Sequence, residues 1–255
     1  MAAVITAKKQ SEYEKIGFGT VVDLYSCLKN QSWQPSRILF SSSLAAVGPS
    51  LENLALQEHH TPNPIDAYGK SKLKAEKFLL AQTDFPTTIF RPCAVIGPMD
   101  ANVLNLYKMV KLGFGFVPWG KEQQMSFIAV SDLVEAIFKL TQDTSNAHKV
   151  YFVSHPKPTS TKELWDAVAK SLNKKVKLIP VPLPLLYLAM QVNTLFANLF
   201  SINNVFDKKY YDQLKEPAWL CSSEKLEQDF DWKAKKSLTE TCAETAIGYR
   251  QAGWI

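Results

Sequence analysis

Apolar runs of strand length alternate with stretches of helical period from residue 37 to residue 154. "RILFSSS" (37–43) is short, β-prone and ends in hydroxyls, and "TTIFRPCAVIG" (87–97) and "KVYFVS" (149–154) repeat that form. Between them, "AYGKSKLKAEKFLLAQ" (67–82) offers Ala67, Leu73, Phe78 and Leu79 for burial on a helix that Asp66 starts. "SFIAVSDLVEAIFKLTQ" (126–142) begins extended and turns helical at Asp132, which the pattern reads as a helix N-cap. Strands alternating with helices predict an α/β fold, a parallel sheet with helices on its faces. Pro92 has no amide proton to give to a ladder, so the second strand should bend near its carboxyl end.

After residue 155 the pattern changes. "TSTKELWDAVAKSLN" (159–173) opens on hydroxyl caps and continues as an amphipathic helix, and the rest reads as mainly helical. The chain therefore divides into residues 1–155 and a smaller region, 156–255. Within the latter, "LPLLYLAMQVNTLFANLFSI" (183–202) approaches membrane-spanning length, but Pro184, Gln191, Asn193 and Asn198 are costly in hydrocarbon. It reads as a covering helix or as a point of peripheral membrane contact.

Composition narrows the classes. With 46% hydrophobic and 21% charged residues the chain is globular. The net charge of +5 comes with only short basic runs, "KKVK" (174–177) and "KAKK" (233–236), which read as solvated faces and argue against a nucleic-acid partner. Cys27, Cys93, Cys221 and Cys242 are scattered, with no C-x-x-C, which fits a reducing cytoplasm and no zinc site. His59 and His60 lack further ligands at useful spacing, so no metal is expected. "MAAVITA" is too short for a secretory leader.

In parallel α/β sheets ligands bind beyond the carboxyl ends of the strands. Those ends hold Ser41, Ser42 and Ser43 on the first strand, and Arg91 to Gly97 on the second. The next helix carries Tyr68 and Lys72 one turn apart, on one face. Spacing alone does not choose this pair, because Tyr25/Lys29, Tyr107/Lys111 and Tyr211/Lys215 repeat it. Only Tyr68 has a strand ending in serine 25 residues upstream, at Ser43.

The ordered stretches "FSSSLAAVG", "DAYGKSKLKAE", "TIFRPCAVIGP" and "MSFIAVSDLVEAI" resemble the extended short-chain dehydrogenase/reductase family, the NAD-dependent epimerase/dehydratases. The likeness is nearest to the branch with hydroxysteroid dehydrogenases and sugar-nucleotide epimerases. It implies a Rossmann-like sheet, an NAD or NADP cofactor, and a small-molecule substrate with a hydroxyl or carbonyl carbon. By position Tyr68 becomes the general acid/base, Lys72 its activator and Ser43 the substrate-orienting hydroxyl. Ser41, Ser42, Tyr68, Lys72, Arg91, Pro92, Cys93, Ala94 and Val95 then form the cofactor side. A neighbouring lysine and a cationic nicotinamide ring would both favour phenolate over the ordinary tyrosine pKa of ~10.

Against that family pattern, no G-x-x-G-x-x-G or G-x-G-x-x-G turn occurs; "GFGT" (17–20) and "GFGF" (113–116) each lack the third glycine. "MAAVITAKKQSEYEKIGFGTVVDLYSCL" is similar to the end of the family's fourth strand and its next helix. Ile16 or Gly17 stands where the family has an asparagine in its proton relay. The expectation is therefore a partial, N-terminally truncated Rossmann-like domain over 1–155 and a substrate-binding region over 156–255. Such a chain should bind dinucleotide weakly alone, and pair as a homodimer or with a complementing N-terminal chain. The rival is a non-catalytic remnant or interaction module. A serine hydrolase lacks its G-x-S-x-G motif. Substrate is expected between Ser43/Tyr68 and the stretches 99–126 and 180–222, where Asn102, Asn105, Met125, Trp219 and Ser222 are candidate walls.

Overall fold

The computed structural model describes residues 12–51, 54–101, 103–120, 122–199 and 208–255. Asn102 lies outside them, as does the strand expected at the very start of the chain. Numbered along the chain, a π-helical segment (Tyr13–Gly19) runs into α1 (Thr20–Lys29), followed by β1 (Ile38–Ser41) and a 3₁₀ turn (Leu44–Ala46). Then come α2 (Ala67–Leu80), β2 (Thr87–Pro92), β3 (Ala94–Ile96), α3 (Leu104–Lys111), β4 (Phe114–Pro118) and β5 (Gln124–Met125). β6 (Phe127–Ala129), α4 (Val130–Thr141), β7 (Lys149–Val153), β8 (Thr159–Ser160), α5 (Thr161–Ser171) and β9 (Lys177–Val181) follow. The chain continues through α6 (Leu183–Leu199), α7 (Lys208–Lys215), β10 (Ala218–Trp219), α8 (Glu224–Phe230) and α9 (Leu238–Gln251).

The expected strands pair in parallel, in the order β1-β2-β7. β2 is central and buried along its whole length, which is why "TTIFRP" shows no polar alternation. One face packs on Tyr25, Phe40, Ala75, Leu79, Phe85 and Ile89, joining α1 and α2 to the sheet. The other packs on Phe90, Ile128, Ala136, Leu140 and Tyr151 beneath α4. Among the described residues β1 has a neighbour on one side only.

At Pro92 the chain leaves this sheet. Residues 94–96 pair with β6 instead, so the proline marks the bend between two ladders, as its missing donor requires. Asp132 departs from expectation. α4 starts at Val130 after an extended Ala129, and Asp132 does not cap it. Its carboxylate accepts the backbone N–H groups of Lys235 and Lys236, both at 2.9 Å, and so anchors the segment leading to α9. Ser160 does cap α5, with Glu163 completing a reciprocal capping box.

The C-terminal region is less helical than the pattern predicts, because its strands borrow partners from before residue 155. β9 pairs in parallel with β4, and β5 lies between β10 and β8. Short strands of two to five residues carry too little periodicity to be read alone.

α2 positions the candidate site. Asp66 caps it, its carboxylate accepting the Gly69 N–H at 2.7 Å. Leu79 is buried as expected, yet Ala67, Leu73 and Phe78 are only half-buried, and the buried face includes Gly69, Lys72 and Glu76. The amino-terminal half of the helix thus faces polar partners. Gly69 allows this approach, since a Cβ there would lie 2.1 Å from the Ala45 carbonyl oxygen and 2.8 Å from its carbon. Alanine would gain about 1 kcal/mol in helix propensity, but backbone must move, and overpacking typically costs about 1–3 kcal/mol or more. Gly69→Ala is therefore expected to be net destabilising in urea unfolding; an unchanged or raised midpoint would show that the 3₁₀ turn yields freely.

Candidate active site

β1 delivers three serines with three different fates. The Ser41 carbonyl accepts the Lys72 ammonium at 2.8 Å. Ser42 is buried, its N–H bonded to Phe90 O at 2.8 Å. Ser43 is extended and caps the 3₁₀ turn, its hydroxyl oxygen accepting the Ala45 N–H at 3.2 Å. The same hydroxyl also acts on the Tyr68 phenol, working to lower its pKa. Ser43 is thus a local cap whose hydroxyl also favours ionisation of Tyr68.

Tyr68 sits in the first turn of α2, half-buried, with Tyr13 edge-on at 6.3 Å between ring centroids. Burial pushes its phenol above the ordinary range; the Ser43 hydrogen bond pulls it back, and Asp66 and Tyr13 add to the rise. Lys72 is buried, its ammonium 5.9 Å from the Tyr68 ring centroid and 5.0 Å from that of Phe40. Desolvation holds this amine below the usual lysine range, against the pull of Glu76. In the chain alone, then, the phenol is raised rather than activated, because burial outweighs the favourable neighbours.

The second strand end is more structural than its motif implies. Arg91 is buried and gripped by Glu76 through Nε–Oε1 at 3.0 Å and Nη2–Oε2 at 2.6 Å. Its side chain therefore braces β2 against α2. Pro92 is buried at the end of β2. The Cys93 thiol donates to Val153 O at 3.4 Å, and burial raises its pKa. Ala94 is exposed and Val95 half-buried, opposite Phe127 and Ile128.

Met125 and Trp219 are register partners in the β5–β10 ladder. Trp219 packs against the cluster of Leu44, Val47, Leu56, Phe152 and Cys221, of which Leu44 directly follows Ser43. Bridges from Ser50 to Ala218 and from Leu56 to Cys221 tie the two regions together, and the Ser222 N–H bonds Leu56 O at 2.9 Å. Asn105 is half-buried on α3 between Leu104 and Leu106, which pack on the same cluster as Met125.

Three features are not evident from the motif. Gln213 Nε2 donates to the second Asp66 oxygen at 3.0 Å, tying α7 to the cap of the Tyr68 helix. Buried Gln123 holds the carbonyls of Gln213 and Glu216, both at 2.8 Å. Gly17 lies against Ser71, whose Oγ would be 2.4 Å from a Cβ there, so a side chain at this position would have to displace it.

The decoy pairs are occupied otherwise. Tyr25 donates to Asp84 at 2.7 Å, and burial pushes its pKa to about 12. Tyr107 is fully buried and donates to Cys242 O at 2.9 Å. Lys215 lies over the Tyr211 ring at 5.4 Å and pairs with Asp212 at 2.8 Å. His59 and His60 stack on each other at 4.4 Å.

Parallel strands joined through helices, with polar groups gathered at a strand end, make this a Rossmann-like α/β protein. The chain belongs to the NAD dependent epimerase/dehydratase family, whose model matches residues 4–153. It is 28% identical over 223 residues to a UDP-glucose 4-epimerase of Vibrio cholerae, a match covering 85% of this chain and 64% of that protein. It is 31% identical over 154 residues to the N-acetyl-alpha-D-glucosaminyl-diphospho-ditrans,octacis-undecaprenol 4-epimerase of Escherichia coli O157:H7 (58% of this chain, 46% of that one). The matches thus span less than two thirds of either relative.

Among solved structures, the fold matches the Bordetella bronchiseptica enzyme WbmG in complex with NAD and UDP. The TM-score is 0.75 at 20% identity, covering all of this chain and 72% of that one. It also matches a Thermotoga maritima UDP-glucose 4-epimerase with UDP-glucose, at TM-score 0.75 and 17% identity, covering 99% and 76%.

Proposed function

We propose that this chain supplies the proton-transfer and substrate side of an NAD- or NADP-dependent epimerase or oxidoreductase acting on a hydroxyl/carbonyl carbon of a sugar nucleotide. The observation that carries it is the convergence at one strand end of Ser43, Tyr68 and Lys72, whose ammonium lies 5.9 Å from the Tyr68 ring centroid and is fixed on the Ser41 carbonyl. The two curated relatives favour a diphosphate-linked sugar over the sterol alternative.

The donor set suits the nicotinamide end of a dinucleotide. An ammonium has three N–H groups; one meets Ser41, leaving two for ribose hydroxyls. The backbone about Cys93, Ala94 and Val95 would meet the carboxamide, with Arg91 and Pro92 bracing that turn and Ser41 and Ser42 forming the wall beside it. When bound, a nicotinamide dinucleotide would supply the hydride acceptor for the substrate carbon. Tyr68 Oη takes the proton from the oxygen on that carbon, Ser43 holds the oxygen in place, and Lys72 supplies positive charge. Met125 and Trp219 form the substrate wall, with Asn105 at its margin. The substrate region is then 156–255 together with the strands it borrows.

The 255 residues hold no glycine-rich turn for the diphosphate. The second reading is that these 255 residues on their own are a module that does not catalyse without a complementing chain or a homodimer partner. Charge-assisted contacts contribute about 1.5–3 kcal/mol each, so dinucleotide binding by this chain alone should be weaker than micromolar in titration calorimetry. With millimolar NAD and UDP-glucose or UDP-N-acetylglucosamine, formation of the epimer or of reduced nicotinamide, followed by NMR, supports catalysis. No turnover at any dinucleotide concentration, with or without a complementing N-terminal half, would leave the module reading standing and remove the enzymatic one.

A further inference from the structure

A helix on a protein surface normally turns polar residues outward. α6 does not. Its buried side holds Met190, while Leu185, Leu188 and Val192, which share one face at the i, i+3, i+7 spacing, are exposed. The ribbon leading into it continues the pattern. β4 and β9 pair with Phe116 opposite Ile179, both exposed, while Gly115, on the other face, meets Trp165. Trp119 follows β4 and its N–H bonds Val181 O at 3.0 Å, which brings it to the start of α6. Phe116, Trp119, Ile179, Leu185, Leu188 and Val192 are between 39% and 67% exposed, an apolar surface too concentrated for scattered chance.

Cations gather at the foot of the same ribbon. Lys108 and Lys111 lie in the last turn of α3, just before β4, and Lys174, Lys175 and Lys177 lead into β9. The Lys177 N–H bonds Gly113 O at 2.9 Å, which joins the two groups. All five are exposed, and among the described residues none is in an ion pair; Asp166 is the acidic group beside Lys170, Lys174 and Lys175. Leucine and tryptophan with a rim of lysine are what an interfacial surface needs: apolar side chains enter the acyl boundary, and ammonium groups meet anionic headgroups.

We propose that the β4–β9 ribbon and the outer face of α6 form a docking surface for an anionic lipid bilayer, independent of the reaction at Tyr68. The charge complementarity selects a bilayer over a second copy of this chain, whose own lysines would repel at a self-interface. The test is co-sedimentation of the 255-residue chain with vesicles of phosphatidylglycerol and phosphatidylcholine, or of phosphatidylcholine alone.

Binding to the phosphatidylglycerol vesicles is expected, falling with added salt. Leu185→Glu with Leu188→Glu should weaken it about tenfold or more, and so should Lys111→Glu with Lys177→Glu. Circular dichroism of both variants should match the parent, since all four residues are exposed. No sedimentation with anionic vesicles at low salt, or sedimentation of both double variants equal to that of the parent, overturns the proposal. So does a parent dimer that the leucine variant converts to monomer in analytical ultracentrifugation, because a second copy would then cover the face.

Discussion

Tyr68→Phe is expected to lower turnover with NAD and a UDP-sugar by about 10²–10⁴-fold, the usual contribution of a positioned acid/base. Tyr25→Phe, Tyr107→Phe and Tyr211→Phe should each stay within a few-fold of the parent. Phenylalanine keeps the ring and removes only the hydroxyl, and the four hydroxyls differ in what they touch. Tyr25 and Tyr107 are committed to Asp84 and to the Cys242 carbonyl, so their loss should cost about 1 kcal/mol of stability. Only Tyr68 shares a helix face with a buried lysine fixed on a strand-end carbonyl, beside Ser43. Rates under saturating substrate, set beside urea midpoints, separate the two effects. A loss in Tyr107→Phe as large as that in Tyr68→Phe would place the chemistry elsewhere.

Arg91→Met should destabilise the fold by about 3–5 kcal/mol, the penalty for leaving a buried charge without its partner. The Arg91 and Glu76 side chains are only 6% and 1% exposed, so water cannot replace the lost fork. Arg91→Lys should recover little, because an ammonium cannot reproduce the bidentate geometry. Adding Glu76→Leu to Arg91→Met should restore most of the loss, since an apolar pair of similar volume is often neutral or better. A urea double-mutant cycle measures this directly. A cost below about 1 kcal/mol for Arg91→Met would mean the pair does not hold α2 on β2.

That pair also shows how far sequence reading reaches. The strands at Ile38, Thr87 and Lys149 and the helix behind Asp66 were legible because their apolar runs and cap are local signals. So was the bend at Pro92. Arg91 looked like part of a cofactor motif, although a charge in an otherwise apolar central strand demands a buried partner. Glu76, one turn beyond Lys72 on the same face, was the matching signal. Asp132 misled for a related reason: an aspartate near a helix start suggests a cap, whereas its acceptors serve Lys235 and Lys236, about a hundred residues away. The β4–β9 and β5–β10 ladders were not legible, since short strands are defined by distant partners. The upward displacement of the Tyr68 phenol was not legible, because burial is a property of the whole fold.

Proton transfer at Tyr68 is tested most directly by its own ionisation, read as phenolate absorbance of the chain minus that of Tyr68→Phe. Without dinucleotide, burial should keep the phenol protonated above the ordinary tyrosine value of ~10. Saturating NAD⁺ should move the transition to lower pH, because a positive ring nearby favours phenolate, whereas NADH, whose ring is neutral, should not. A transition at the same pH with NAD⁺, with NADH and with neither would contradict the role assigned to Tyr68.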